Sequence, residues 1–509
     1  MLSRVRSASL CGIEAHPVDV EVDISGRGLP HFFIVGLPDA SVKESRDRVR
    51  AALKNTGFNI PLRPITINLA PADLKKEGSA FDLPIAVGLT AAEGLLDGPK
   101  PLDGYLLTGE LSLDGRIKPV KGALSVAMLA RQAGLSLILP AENGPEAALV
   151  RGVTVLGASD LPEVVMFLRG EGKLKTFAPD GDPQKPSAFP IDEDFMDVKG
   201  QEHAKRALEV AASGGHNALM IGPPGAGKTM LSRRLPGILP PMTFDEALET
   251  TRIHSVAGFL KEGRALLSSR PFRAPHHTIS DVALVGGGQI PHPGEVSLAH
   301  NGVLFLDELP EFKRSVLEVL RQPLENGEVT VSRAQAAVTY PARFMLVAAM
   351  NPCPCGYLGD DRHQCTCPPG AIMRYRSRVS GPLLDRIDIH VEVPAVPYRD
   401  LSSARAAEGT ARIRERVIAA RERQLHRFSG ENIYSNGQMK SRHIKKFCRL
   451  DAAAASLLEA AVRRLALSAR AYARVLKLSL TIADMEGCPG IAPHHVSEAI
   501  QYRSLDRVS

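Results

Sequence analysis

Apolar and polar side chains alternate in several short segments near the start of the chain. Residues 18–24 (VDVEVDI) and 65–69 alternate with the two-residue period of a half-buried β-strand, and residues 31–35 form another apolar run. Residues 111–117 (LSLDGRI) place Asp-Gly between apolar positions, which is a strong hairpin signal. Because helical signals lie among these strands, we predict an α/β domain over residues 1–170.

Helical signals occur both within this region and at the far end of the chain. Ser41 and Glu44 have the spacing of a capping box, which predicts that a helix opens there. A long Arg-rich helix is predicted over residues 403–426, and one or two Ala- and Leu-rich helices over residues 452–485. The pattern therefore predicts an all-helical domain over residues 396–509.

A second α/β unit is predicted between these regions. Residues 171–190 are rich in Pro, Gly and charged side chains and have no periodic apolar face, which is typical of an interdomain linker. Residues 191–395 then alternate between apolar strands and helical segments, and this alternation favours a mainly parallel sheet. The predicted strands are residues 218–221, 303–306 and 344–350.

Composition narrows the class of protein. The 509 residues are 44% hydrophobic and 23% charged, the profile of a globular chain of several domains. The apolar runs are far shorter than a membrane span and no secretory signal is visible, so we expect a cytoplasmic protein. Residues 395–509 hold 20 Lys and Arg against 11 Asp and Glu, a net charge of +9 in a chain of +6. That excess favours a polyanionic partner, although a solvated Arg-rich helical surface would give the same count.

One segment carries the signature of a phosphate-binding loop. The stretch GPPGAGKT lies between a predicted strand and a predicted helix, where its glycines allow backbone N–H groups to face the phosphates of ATP. Lys228 is predicted to reach the β- and γ-phosphates, and Thr229 is predicted to bind Mg²⁺. The loop residues are Gly222, Pro223, Pro224, Gly225, Ala226, Gly227, Lys228 and Thr229.

Polar side chains follow the next two predicted strands. Asp307 and Glu308 come directly after residues 303–306; Asp307 is predicted to hold Mg²⁺, and Glu308 to polarise the attacking water. Asn351 follows residues 344–350 and is a candidate to orient that water, although Asn-Pro is also an ordinary turn. The spacing of these residues after the P-loop predicts an ATP hydrolase.

Four of the seven cysteines form a tight cluster. Cys353 and Cys355 make one Cys-x-Cys pair, Cys365 and Cys367 make another, and nine residues lie between the two pairs. Four thiolates on two turns can surround a tetrahedral Zn²⁺, so we predict a zinc site. The alternative is four reduced thiols in a loop, since the odd count argues against a disulfide framework.

These motifs resemble those of AAA+ ATPases in the clade that contains magnesium chelatase I-subunits and MCM helicases. Residues 270–280 (RPFRAPHHTIS), 380–388 (SGPLLDRID) and 468–472 (SARAY) resemble the ComM (YifB) family of bacterial magnesium-chelatase-like proteins, and the likeness extends over essentially the whole chain. The resemblance implies an AAA+ core over residues 191–395 with a C-terminal helical lid, in a ring expected to be hexameric. It also implies an ATP-driven helicase that migrates DNA branches during natural transformation.

The family pattern assigns roles to single residues. Arg386 matches the arginine finger, which reaches the ATP of a neighbouring subunit, and Arg470 matches the sensor-2 arginine of the lid. Asn351 matches sensor 1. Without that pattern, either arginine would be read as a surface ion pair.

In this clade two hairpins line the central pore. Residues 328–339 (EVTVSRAQAAVT) match the pre-sensor hairpin, and Arg333 is the expected contact with the phosphates of single-stranded or branched DNA. Residues 286–292 lie where the helix-2 insert falls, and their glycines suit either a mobile pore loop or a plain flexible loop.

The first domain resembles the fold of the Lon protease domain. Lon-type proteolysis needs a Ser nucleophile and a Lys base. The nucleophile position falls on Ala80, one residue after Ser79, and the Lys position falls on Leu124, three residues after Lys121. We therefore expect a non-proteolytic domain that serves oligomerisation or DNA contact. The matching stretches are residues 75–84 and 107–116.

Two other functions stay open. A chelatase-type motor subunit would remodel a partner enzyme that inserts Mg²⁺ into a porphyrin, and its ATPase would be indifferent to DNA. The Lon-like domain and the cysteine cluster speak against it. An ATP-dependent protease is disfavoured by Ala80 and Leu124.

Overall fold

The computed structural model of the chain separates into two compact units. The first comprises Met1–Pro186 and Thr243–Leu267, and the second comprises Ser187–Met242 and Ser268–Ser509. The segment Thr243–Leu267 therefore packs with the first unit. The predicted domain boundaries place this segment in the ATPase core, residues 191–395. The structure describes residues 2–26, 28–59, 63–96, 102–178, 193–260, 265–288, 291–333, 336–360, 362–397, 407–431, 433–465 and 467–503.

The first unit is built on a mixed eight-stranded sheet with the order β10-β9-β8-β5-β1-β2-β4-β3. Val18, Val20 and Val22 on the second strand are all buried, which confirms the alternation predicted there. Leu111 pairs with Ile117 in a separate two-stranded hairpin, as predicted. The strands are β1 (Leu2–Cys11), β2 (Glu14–Ile24), β3 (Phe32–Val35), β4 (Ile65–Ala70), β5 (Tyr105–Leu107), β6 (Glu110–Leu111), β7 (Ile117–Lys118), β8 (Ser136–Pro140), β9 (Val155–Ala158) and β10 (Lys175–Phe177).

Helices cover this sheet. The helix predicted to open at Ser41 instead begins at Ala40, because the Asp39 carboxylate accepts the Val42 N–H at 2.7 Å and caps it; the predicted capping box was wrong. The helix Asp82–Ala92 is buried along most of its length, which suits its uniformly apolar sequence. The helices are Ala40–Asn55, Asp82–Ala92, Ala123–Gln132, Gly144–Ala147, Leu161–Arg169 and Phe244–Ala257.

The predicted linker holds part of the sheet. Strand β10 lies within residues 171–190 and pairs antiparallel with β9, and the Phe177 ring packs closely against Gly157. A Cβ at Gly157 would collide with that ring, so the small residue admits the strand. The rest of the predicted linker, from residue 179 onward, lies outside the described residues.

The second unit contains a parallel five-stranded sheet with the order β12-β15-β18-β11-β19. The mainly parallel sheet predicted for this region is confirmed, and two of the predicted strands have the expected bounds. Because parallel strands end at one edge, the loops after β11, β15 and β18 emerge together. The strands are β11 (Ala218–Ile221), β12 (Phe272–Arg273), β13 (Gly286–Gly287), β14 (His292–Pro293), β15 (Val303–Leu306), β16 (Glu328–Arg333), β17 (Ala336–Pro341), β18 (Met345–Met350) and β19 (Ile389–Glu392).

Helices pack against this sheet, and helices alone form the described C-terminal part of the second unit from Thr410 to Gln501. The Ala- and Leu-rich stretch divides into two helices at Ser468, whose hydroxyl caps the second. Met220 and Val347 of the sheet share one buried core with Val475 and Leu478 of that helix. The helices are Glu202–Gly214, Lys228–Ile238, Asp281–Val285, Glu295–Leu298, Arg314–Glu318, Arg321–Asn326, Pro369–Arg376, Gly381–Leu384, Thr410–Arg427, Ser441–Phe447, Ala452–Leu465, Ala469–Glu486 and Pro493–Gln501.

The predicted Arg-rich helix starts at Thr410 rather than at residue 403, and residues 403–406 lie outside the described part of the chain. Within that part, none of the helices combines the length and the apolarity that crossing a membrane demands.

Candidate functional site

The P-loop leaves β11 and enters the helix Lys228–Ile238. Gly222 passes so close to the Val393 carbonyl that any side chain would collide with it. Gly225 and Gly227 adopt φ of 75° and 86°, the left-handed region that glycine enters without strain. The loop therefore turns its backbone toward the helix N-terminus, which is the geometry that binds phosphate.

Lys228 lies folded over this loop. Its Nζ donates to the carbonyl oxygens of Gly222 at 2.7 Å and Pro223 at 2.9 Å, and to Asn351 Oδ1 at 3.2 Å. Burial lowers the pKa of Lys228, while Asp307 and Glu308 oppose that effect. The contact brings the predicted sensor-1 residue to the P-loop.

Thr229 and Asp307 offer oxygen ligands for a cation. The Thr229 hydroxyl donates to Asp307 Oδ2 at 2.7 Å, so the two predicted Mg²⁺ ligands lie side by side. A hydroxyl and a carboxylate are among the ligands that Mg²⁺ takes beside a nucleotide. These residues therefore fit the metal that the family implies.

Glu308 has a strained backbone. Its φ of 53° and ψ of 47° place a non-glycine residue in the left-handed region, and its N–H donates to Asp307 Oδ1 at 2.9 Å. Such strain is typical of residues whose orientation matters for function.

His277 also belongs to this site, and sequence reasoning gave it no role. Its Nδ1 lies 3.3 Å from Glu308 Oε2. It follows β12, which pairs with β15 through Phe272 and Val303. The two adjacent histidines in residues 270–280 were a visible signal, but a two-residue strand is too short for periodicity to predict.

The two predicted arginines form ion pairs with acidic side chains. Arg386 is paired with Glu325, donates to the Pro382 carbonyl at 2.6 Å and is only 9% exposed. Arg470 is 62% exposed and lies 3.4 Å from Asp385. In the single chain, neither guanidinium contacts the loop that it is expected to serve in an assembled ring.

The cysteines converge as predicted. Cys353 Sγ lies 3.3 Å from Cys355 Sγ and 3.7 Å from Cys365 Sγ, and the Cys355 N–H donates to Cys367 Sγ at 3.3 Å. A tetrahedral Zn²⁺ with bonds of about 2.3 Å separates its sulfurs by about 3.8 Å, so the four thiols are close to a ligand set for zinc.

Two further observations concern this cluster. Backbone N–H groups of Tyr357 and Thr366 lower the pKa of Cys355 to about 6, which favours its thiolate, whereas desolvation and the neighbouring thiols raise the pKa of Cys365 and of Cys367. A Cβ at Gly356 would lie 2.6 Å from Pro224 Cδ. The cysteine loop therefore packs directly against the P-loop.

The two expected pore segments form neighbouring hairpins. Strand β16 pairs with β17, and β13 pairs with β14, so the second segment is a short hairpin whose first two glycines are buried. The Tyr340 hydroxyl joins the hairpins by donating to the Pro291 carbonyl at 2.6 Å. The side chain of Arg333 lies outside the described residues.

In the first unit, Ser79 and Lys121 face different partners. The Ser79 hydroxyl donates to Glu110, while the Lys121 Cε would lie 2.9 Å from a Cβ at Gly258. Leu124, at the expected Lys position, is fully buried, and its N–H donates to Glu146 at 3.0 Å. These contacts do not make a Ser–Lys pair.

Comparison with known proteins matches three family descriptions. "Magnesium chelatase, subunit ChlI" matches residues 194–401, "Subunit ChlI of Mg-chelatase" matches residues 20–143, and "Magnesium chelatase, subunit ChlI C-terminal" matches residues 407–503. The three matches extend over both units.

Full-length relatives were also found. The "Uncharacterized protein YifB" of Escherichia coli (strain K12) and the "Competence protein ComM" of Haemophilus influenzae are each 46% identical to this chain, over 100% of it and 98% of their own length. The "Magnesium-chelatase 38 kDa subunit" of Rhodobacter capsulatus is 28% identical over 31% of this chain and 50% of its own. The likeness to the first two therefore includes the first unit and the cysteine cluster.

Proposed function

Because the chain belongs to the magnesium-chelatase-like family of AAA+ ATPases that includes YifB and ComM, we propose that it is an ATP-driven motor that moves branches in DNA. One observation carries the proposal. Lys228 donates to Asn351 and Thr229 donates to Asp307, so residues that follow three separate strands meet at one edge of the sheet.

Each of these residues has a distinct task in hydrolysis. The P-loop N–H groups and Lys228 bind the phosphates, while Thr229 and Asp307 would hold Mg²⁺, which would supply positive charge to the phosphate oxygens. Glu308 accepts a proton from the attacking water, and Asn351 orients that water toward the γ-phosphate. Phosphoryl transfer needs this positioning more than it needs covalent chemistry.

We further propose that the protein works as a ring, with six subunits as the expected number. Arg386 then serves the ATP of the neighbouring subunit, and Arg470 acts as the sensor-2 arginine of the lid. Since Arg386 is paired with Glu325, that pair has to open before the guanidinium reaches a neighbour. Assembly of the ring and activation of the site are therefore linked.

DNA is the proposed substrate of the motor. The two joined hairpins support this, because they match the pore-lining pair of the clade, and Arg333 is the proposed phosphate contact. The net charge of +9 over residues 395–509 adds a field that attracts a polyanion. The name of the Haemophilus relative suggests competence, so we place the motor in natural transformation, in the cytoplasm.

We propose that Zn²⁺ is bound by four cysteine ligands, which are Cys353, Cys355, Cys365 and Cys367. The sulfur separations support it, and the contact between Gly356 and Pro224 suggests a structural brace for the P-loop. A structural zinc site uses all four ligands and contributes stability rather than chemistry.

The first unit is proposed to have a Lon-like fold without proteolytic activity. Ala80 and Leu124 replace the two required residues, and Leu124 is buried, with its N–H bonded to Glu146. We assign this unit to oligomerisation or DNA contact. Degradation of casein in the presence of ATP would contradict the assignment.

ATPase assays with and without four-way-junction DNA test the motor. The wild type should hydrolyse ATP faster with the junction and unwind it, and Lys228→Ala should lose both activities. Glu415→Gln changes an exposed carboxylate on the helix Thr410–Arg427 and should behave as the wild type.

A second candidate function is favoured by the likeness to the 38 kDa chelatase subunit. A remodelling subunit of that kind would act on a protein partner. ATP hydrolysis that depends on Lys228 but is unchanged by junction DNA would support this second function and would contradict the proposed DNA motor.

A further inference from the structure

The loop Asp385–Asp388 carries Arg386, and its main chain is held from two sides. Asn217, at the start of β11, donates its side-chain N–H to the Arg386 carbonyl at 2.9 Å. Arg503, beyond the last helix, donates to the Ile387 carbonyl at 2.7 Å. The peptide groups on either side of Ile387 are thereby fixed.

The Asp388 carboxylate adds a third anchor. Its Oδ1 accepts from Arg474 Nη1 at 3.0 Å, and its Oδ2 accepts from the Asn217 N–H at 3.2 Å. Burial opposes ionisation of this carboxyl, but Arg474 and His216 hold its pKa well below the usual range. Asp388 is therefore a charged partner for Arg474.

Arg503 is 1% exposed, and its main chain is fixed to the sheet. It forms an isolated bridge with His390 of β19, and the neighbouring Tyr502 carbonyl accepts the His390 N–H at 2.7 Å. Burying a guanidinium is costly unless its donors are satisfied. The bond to the loop carbonyl is one reason for a charged side chain there.

The lid helix Ala469–Glu486 binds the same loop twice. Arg470 and Arg474 are one turn apart on it, and they pair with Asp385 and Asp388 at the two ends of the loop. A shift of this helix therefore pulls on both flanks of Arg386.

We propose that Arg474 and Arg503 are positioning residues for Arg386, so that the C-terminal helices of one subunit set the arginine that acts on the ATP of the next. The inference rests on the proposed role of Arg386 in a ring. It makes the position of the lid helix in one subunit a determinant of the arginine that acts in the next subunit. The anchors fix the base of the Arg386 side chain, and its guanidinium has to leave both Glu325 and the Pro382 carbonyl to reach a neighbour.

Rings that mix two variants can distinguish an effect on the neighbouring subunit's ATP site from an effect on the subunit's own site. Arg386→Ala subunits keep their own P-loop but lack the finger, and Lys228→Ala subunits keep the finger but not a working P-loop. Each alone should hydrolyse ATP poorly, and mixing them should restore activity at interfaces where the two intact elements meet.

Arg503→Met is then added to one partner at a time. In the Lys228→Ala subunit, which supplies the finger, it should reduce the restored rate about tenfold or more, the loss typical of a misplaced catalytic group. In the Arg386→Ala subunit, which supplies no finger, it should change the rate less than about twofold. Arg474→Gln should show the same asymmetry, and Arg503→Lys should retain part of the rate.

The control measurements are the melting temperature and the binding of a non-hydrolysable ATP analogue by each double variant. Equal losses in both arrangements would show a general structural role and overturn the inference. The inference would also be overturned if Arg503→Met left the restored rate unchanged in both arrangements. If the two single variants do not complement each other, the proposed trans role of Arg386 fails first, and the inference fails with it.

Discussion

The imidazole of His277 lies against the carboxylate of Glu308, with 3.3 Å between Nδ1 and Oε2. The two residues come from adjacent strand ends, since β12 and β15 are paired. Glu308 also has a left-handed backbone, so both its main chain and its side chain are constrained. The residue proposed to activate water is therefore oriented by a neighbour rather than left to rotate.

Replacing His277 should slow hydrolysis without weakening ATP binding. In His277→Ala the Glu308 carboxylate loses its partner, and we expect kcat to fall about tenfold, or about 1.4 kcal/mol of activation free energy. The KM for ATP should change little, because the phosphate ligands are untouched. His277→Asn should recover part of kcat, which steady-state kinetics would show.

His276 provides the matched control. It has the same chemistry and its ring packs against that of His277, with 4.0 Å between the ring centroids, but its Nδ1 lies 3.0 Å from Thr278 Oγ1 and not against Glu308. His276→Ala should stay within about twofold of wild-type kcat, the range expected when no transition-state contact is removed. An equal fall in both variants would mean that the loop, not His277, is what matters.

Asn351 should affect catalysis more than binding. Asn351→Ala removes the acceptor for Lys228 at 3.2 Å and the proposed water ligand. We expect kcat to fall about 100-fold, comparable to loss of one donor or acceptor aimed at the transition state. Calorimetric titration with a non-hydrolysable analogue should show affinity near that of the wild type. A loss of affinity equal to the loss of kcat would contradict the assignment.

Zinc should copurify with the protein. Elemental analysis is expected to find one zinc ion per chain in the wild type and none in Cys353→Ser, which loses the buried ligand. Cys488→Ser, outside the cluster, should retain the metal. Because Gly356 packs on Pro224, chelation should also weaken nucleotide binding. Full nucleotide affinity in the zinc-free protein would refute the brace.

Acid should destabilise the second unit through buried histidines. Burial, aided by Arg503 and Arg474, lowers the pKa of His390 to about 3, and burial also lowers the pKa of His216. The unfolded chain binds protons below about pH 6.5, whereas folded His390 does so only near pH 3. The free energy of unfolding should therefore fall between about pH 6.5 and 3, by at most about 1.4 kcal/mol per pH unit for each histidine.

Urea unfolding between pH 5 and 7.5 checks this. His390→Gln should flatten the dependence in that range, while His426→Gln, at an exposed position, should leave it unchanged. A profile that is flat in the wild type would contradict the prediction.

The sequence predicts a structural feature well when neighbouring residues determine it, and poorly when residues distant in the sequence do. Strands 218–221 and 303–306 were placed correctly because each is a short buried apolar run, and the chemistry follows each run directly. The predicted cap of the first helix was wrong because Asp39 and Ser41 are both residue types that cap helices well. In the structure Asp39 is the residue that caps the helix. His277 and Arg503 could not be found from spacing, because their partners lie 31 and 116 residues away in the sequence.

The segment Thr243–Leu267 has a consequence for how the protein is made. Leu248 and Leu266 pack on the core of the first unit, and Ser255 donates to the buried Glu146. Since domains usually fold as units while they emerge from the ribosome, the first unit has to wait for a piece that is translated after the P-loop helix. Its core stays open through the synthesis of residues 187–242. A chain stopped before residue 267 would thus present an unfinished apolar surface to chaperones, even though the whole N-terminal stretch had already been translated.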